Sequence, residues 1–340
     1  MNKTLPHNRA FAQTTAMLGA AGWAAMAVLT RMRIARIGQI ELLFLFGLLV
    51  IVPLGIELMR DLGETGKTIE LTRALQPLGA LFAVGSMWMA PGRKAGLVAS
   101  GWLLICILIA IDGAEELFSV CRACGSLFRL RHPDCVRVVM SIARIDLAVG
   151  GAWLVASRLG MRPLGIQEPI GLLTAVHFHF AGFATATIAA MTLRFRELRF
   201  QERADRWLRS LAIAIALLPY VIAIGFVTSH SMKMAAAVAF SACVAALAVF
   251  LRTCGKRAEN TAARLLLQIS AGSIFAGMIF STAYAIADFV GSEALTIPEM
   301  ARTHGLLNAF GFCLAGLLGW LIETTPSQPS SEYVAAQIVR

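Results

Sequence analysis

Apolar positions fall in long runs along the chain, and short polar stretches punctuate them. A helical run of roughly twenty residues matches the ~30 Å hydrocarbon core of a bilayer. The strong runs are 40–59, 76–91, 95–112, 138–157, 169–192, 210–228, 234–251, 265–289 and 303–322, and a weaker one covers 11–30. Backbone in lipid must satisfy its own hydrogen bonds, so each run predicts a helix. No stretch alternates with period two over barrel-strand lengths, which argues against a barrel. The expected fold is therefore an all-α polytopic transmembrane bundle of ten spans, or nine if the first segment does not cross. A short N-terminal tail, 1–10, precedes a helical membrane domain, 11–323. A polar tail, 324–340, carries Pro326, Pro329 and several serines and is expected to be disordered and cytoplasmic. Pro91-Gly92-Arg93-Lys94 separates two of the runs and fits a tight turn between antiparallel helices. The start of the chain is polar and lacks a small-residue cleavage site before Arg31, so 11–30 reads as a retained helix.

Composition sharpens the class. Of 340 residues, 58% are hydrophobic and 15% charged, against about 25% charged in an ordinary soluble domain. That excludes a soluble enzyme, a disordered chain and a disulfide-rich secreted module. The net charge of +10 would otherwise suggest nucleic acid, but cytoplasmic loops rich in Lys and Arg explain it first. The loop 193–209 holds six arginines. Placing it in the cytoplasm puts 19 Lys and Arg inside and 9 outside, with both termini inside. Arg31, Arg33 and Arg36 oppose that orientation. The expected location is the inner (cytoplasmic) membrane, with the lipid bilayer as partner and no nucleic acid.

Ionisable groups inside a bilayer are expensive and mark candidate function. His177 and His179 lie about ten residues into one span. Positions i and i+2 point about 200° apart on a helix, so the two imidazoles cannot share one metal. His304, Asn308 and Gly311 follow i, i+4, i+7 and share a face. The preceding helix carries its own polar stripe of Ser270, Ser273, Gly277, Ser281, Tyr284 and Asp288. A direct Asp288–His304 pair across these antiparallel helices is expected. Asp112, Glu115 and Glu116 share one side of another helix, and Arg137 and Arg144 lie on one stripe of the next. Like charges so placed repel unless cations offset them, so Arg–carboxylate pairing is expected. Asp146 lies on a different face from Arg144 and needs its own partner. Each cluster also has a plain structural reading, as interhelical hydrogen bonds or salt bridges.

Cys121, Cys124, His132 and Cys135 supply ligand types suited to zinc. Free thiols in a reducing compartment are the simpler reading of that loop. Walker A, G-x-S-x-G and H-E-x-x-H signatures are absent.

The segment Leu173-Thr-Ala-Val-His-Phe-His-Phe-Ala-Gly-Phe183, with Thr303-His-Gly-Leu-Leu-Asn-Ala-Phe-Gly-Phe312, resembles the YndJ-like family of bacterial polytopic membrane proteins. The resemblance runs from about residue 40 to 323. It implies a membrane fold and a transporter-like role, with polar family residues at His177, His179, His304 and Asn308. Three functional readings follow. The first is a transporter or permease of a small solute or ion. The second is an intramembrane metal- or haem-dependent enzyme or redox protein using the histidines. The third is a membrane scaffold or sensor. No cofactor is specified by the sequence, although a metal ion fits the second reading.

Overall fold

The computed structural model describes residues 10–60, 67–124, 132–200, 206–292 and 295–324. The 324–340 tail, apart from Thr324, and most of the 1–10 tail lie outside the described residues. Among the described residues ten long helices follow one another: α1 (Ala10–Arg31), α2 (Gln39–Arg60), α3 (Lys67–Met87), α4 (Arg93–Cys124), α5 (His132–Leu159), α6 (Ile170–Arg199), α7 (Arg206–Thr228), α8 (His230–Arg257), α9 (Thr261–Phe289) and α10 (Ile297–Glu323). Among the described residues no strand occurs. The sequence-derived class is therefore correct.

Nine of these helices are long and apolar enough to cross a membrane. The tenth is α3, which the hydropathy pattern had placed among the strong runs at 76–91. Its first turns hold Lys67, Glu70, Arg73 and Gln76, so its apolar half is short. The weak run at 11–30 does meet the length and apolarity of a span. It packs on α2, where Trp23 Nε1 donates to the Leu42 carbonyl at 2.7 Å. Several helices outrun the bilayer. At 32 residues α4 extends three turns past the run read from sequence.

Neighbours in sequence pack as antiparallel pairs, chiefly α4 with α5 and α8 with α9. Helices α2 and α6 are the most enclosed. Both are interrupted by π-helical turns, at Gly47–Ile51 and Phe178–Ala184. Helix α10 has two more, Ala301–Gly305 and Leu307–Leu314. A π-turn adds one residue to the ladder and occurs frequently at functional sites. The added residue rotates every later side chain by about 100°. The π-turns of α2 and α6 and the second of α10 pack against one another. These three helices run the same way through the alternating bundle, so their irregular turns meet at one depth.

Candidate functional site

The π-turns that meet carry His179 and Asn308, while His177 immediately precedes the α6 π-turn and His304 lies in the first π-turn of α10. His177 and His304 each lie seven residues into their helices, α6 and α10. That is a depth of about 10 Å at 1.5 Å per residue. The two rings are within electrostatic reach of each other. His304 Nδ1 is 3.0 Å from the Gly277 carbonyl of α9, and the Asn308 amide donates to His304 Nε2 at 2.9 Å. These contacts make His304 an Nδ1–H tautomer, with both nitrogens engaged. Asn308 turns its own carbonyl oxygen toward Gly277, where a Cβ would stand 2.5 Å from it. That oxygen is buried and accepts no hydrogen bond. His177 Nδ1 reaches the Leu173 carbonyl at 2.7 Å, and its ring is exposed although protein atoms crowd around it. His177 and His304 thus stand at matching depth on parallel helices, with Asn308 one turn further along α10. A surface groove of about 590 Å³ runs along the neighbouring face of α10 between Arg302 and Gly311, with Phe280 opposite.

His179 takes the opposite direction, as its spacing from His177 required. It is fully buried. Its Nδ1 reaches the Ala175 carbonyl at 2.8 Å, and Trp102 Nε1 donates to its Nε2 at 3.1 Å. Phe44 meets the ring edge-on, with centroids 5.0 Å apart. Gly150 of α5 makes the room, since a Cβ there would fall 2.5 Å from His179 Nδ1.

One turn along α5 from Gly150 lies Asp146, also fully buried. Gly182 of the α6 π-turn faces it, and a Cβ on Gly182 would stand 2.8 Å from the carboxyl carbon. Tyr220 of α7 is the polar side chain that interacts with Asp146. Neither carboxyl oxygen has a well-formed hydrogen bond.

The acid–arginine expectation holds in its pairing. Arg144 bonds Asp112 and Arg137 bonds Glu116, both between α4 and α5. Glu115 is exposed and takes no part in these two pairs. The Asp288–His304 pair does not form. Asp288 holds Lys233 at 2.7 Å and His230 at 3.5 Å, both on α8. The physical reason is register. Helix α10 begins at Ile297, so His304 sits two turns inside and level with Gly277. Asp288 is eleven residues further along α9, about 16 Å away along the axis. Tyr284 lies one turn from Asp288 and within its electrostatic influence.

The zinc grouping is not assembled either. Among the described residues no three His, Cys, Asp or Glu side chains gather as metal ligands. Cys121 and Cys124 close α4, while Cys135 turns into the bundle toward the Arg209 carbonyl, at 3.8 Å. The side chain of His132 lies outside the described residues.

Two groups escaped the sequence reading. Trp102 and Tyr220 sit in apolar runs and carry no signal beyond their own donors. The second is an ion-pair ring where α2 ends and α3 begins. Glu57 takes Arg60 at 2.7 Å and Arg73 at 3.1 Å, and Arg60 also holds Glu70 at 2.8 Å. Glu57 and Arg60 are buried, and Gln76 beside them donates to the Leu48 carbonyl at 2.7 Å. Glu57 and Arg60, three apart near the end of a run, were the available signal.

Comparison with known proteins agrees with the motifs. A family model described as YndJ-like protein matches residues 42–312. The chain is 31% identical over 247 residues to the uncharacterized membrane protein YndJ of Bacillus subtilis (strain 168), covering 73% of this chain. The match spans 41% of that relative's length. No solved structure matches.

Proposed function

This chain belongs to the YndJ-like family of membrane proteins, and from that premise we propose that it is a transporter or permease of a small solute or ion. It sits in the cytoplasmic (inner) membrane, with its arginine-rich helix ends and C-terminus inside. His177, His304 and Asn308 receive the solute from the outer side. Asp112–Arg144, Glu116–Arg137 and the Glu57–Arg60–Arg73–Glu70 ring close the inner side. The observation that supports this reading is the convergence of His177 and His304 on π-turned, parallel helices, beside an unsatisfied Asn308 oxygen. Many secondary transporters build their binding sites where transmembrane helices are interrupted. Asp288, tied to Lys233 at the outer end of α9, has no part in the solute site.

The test is flux. Pools of labelled small solutes and ions are offered to proteoliposomes holding the full chain, His304→Ala or His177→Ala. A solute carried by the full chain and lost in both variants, with equal protein in the membrane, is the expected result. Equal flux by all three overturns the assignment of these residues.

A further inference from the structure

We propose that Asp146 is a proton-binding site at the centre of the bundle, loading and releasing a proton as the chain works. The inference deepens the transport reading and rests on it for its purpose, but not for its evidence.

Asp146 is fully buried near the middle of α5. A carboxylate in such a place needs a cation or several donors, because isolated burial of the charge costs many kcal/mol. Every cation in view is spoken for. Arg144, two residues away, turns to Asp112 of α4. On α6 the imidazole of His179, one turn outward, engages both of its nitrogens, with Ala175 and Trp102. From α7 comes only the Tyr220 phenol, a single neutral donor. Both carboxyl oxygens lack a well-formed hydrogen bond. A proton removes the buried charge: the carboxylate takes up H⁺ from water to become a neutral acid, and Tyr220 serves its carbonyl oxygen.

The setting also provides a means of release. Asp146 packs on Gly182 inside the α6 π-turn, not on a regular helix. Returning that turn to α-geometry would rotate the later face of α6 by about 100° and remove Gly182 from the carboxyl group. The same π-turn follows directly on His177. A change at the solute site therefore has a short covalent route to the proton site.

The experiment is infrared spectroscopy of the full chain in lipid nanodiscs, with the proton as probe. The wild-type protein is expected to show a protonated-carboxyl C=O band at neutral pH. That band should vanish in Asp146→Asn and change frequency in Tyr220→Phe, which keeps the carboxyl group. It should also fade reversibly in alkaline buffer and shift in D₂O. Absence of the band in the wild type, or its persistence in Asp146→Asn, overturns the assignment. A band indifferent to both pH and D₂O overturns it too, because that acid would be a sealed structural one. None of these readings uses solute flux. Failure of the solute assignment would leave the band intact, so the two are distinguishable.

Discussion

The helix ends that carry Glu57, Asp112 and Glu116 and the centre of the bundle hold their ionisable side chains by opposite means. At those helix ends, charge meets charge: Glu57 with Arg60 and Arg73, Asp112 with Arg144, and the half-exposed Glu116 with Arg137. At the centre, neutral donors and acceptors take over: Trp102 to His179, Asn308 to His304, Tyr220 beside Asp146. The helix-end pairs are made between full charges, so each member depends on its partner. The central groups can change protonation or partner without stranding a permanent charge. Rigid pairing suits a closure, and uncommitted polarity suits a binding site.

Substitutions separate the two regimes. The largest effect is expected from Glu57→Ala, which removes the buried carboxylate shared by Arg60 and Arg73 and leaves them only the half-exposed Glu70 of the ring. Breaking such a pair costs about 3–5 kcal/mol. Thermal unfolding in detergent should show a large drop, and Glu57→Leu with Arg60→Met should recover most of it. A drop no greater than that of an exposed pair would remove the contrast between the regions. Trp102→Phe comes next. It leaves the buried His179 acceptor without its donor, at about 1–3 kcal/mol. If the loss instead matched that of Glu57→Ala, the neutral bond at the centre would carry as much as the ion pairs at the helix ends, and the contrast would fail. The smallest is Ser270→Ala, which removes the 2.9 Å bond to the Phe312 carbonyl. Interhelical bonds of this kind average about 0.6 kcal/mol in a membrane. A loss several times larger would show that the α9–α10 contact carries more than ordinary packing.

Much of this was legible in the chain. Carboxylates at 112 and 116 and arginines at 137 and 144 share helix faces, and those four side chains do meet across α4 and α5. The divergence of His177 from His179 followed from 100° per residue, and the structure keeps it. The Asp288–His304 pair failed because hydropathy placed the start of the last span at 303, six residues after α10 begins. Hydropathy marks where a helix becomes apolar, whereas the Thr296 cap and Pro298 mark where it starts. The ring around Glu57 was missed for a related reason. Arg60 and Arg73 lie beyond the apolar run 40–59 and so read as loop charge, yet they fold back against Glu57 and Glu70.

The sequence by itself determined the helical membrane class, the order of the spans and which few ionisable residues lie within them. Those follow from local quantities: run length, residue polarity and angular period. Tertiary structure alone decided which of those residues meet. The π-turns that rotate α2, α6 and α10 are set by packing between helices, as are the glycine gaps at 150, 182 and 277. No one-dimensional pattern records them, because each depends on what the opposing helix presents at the same depth.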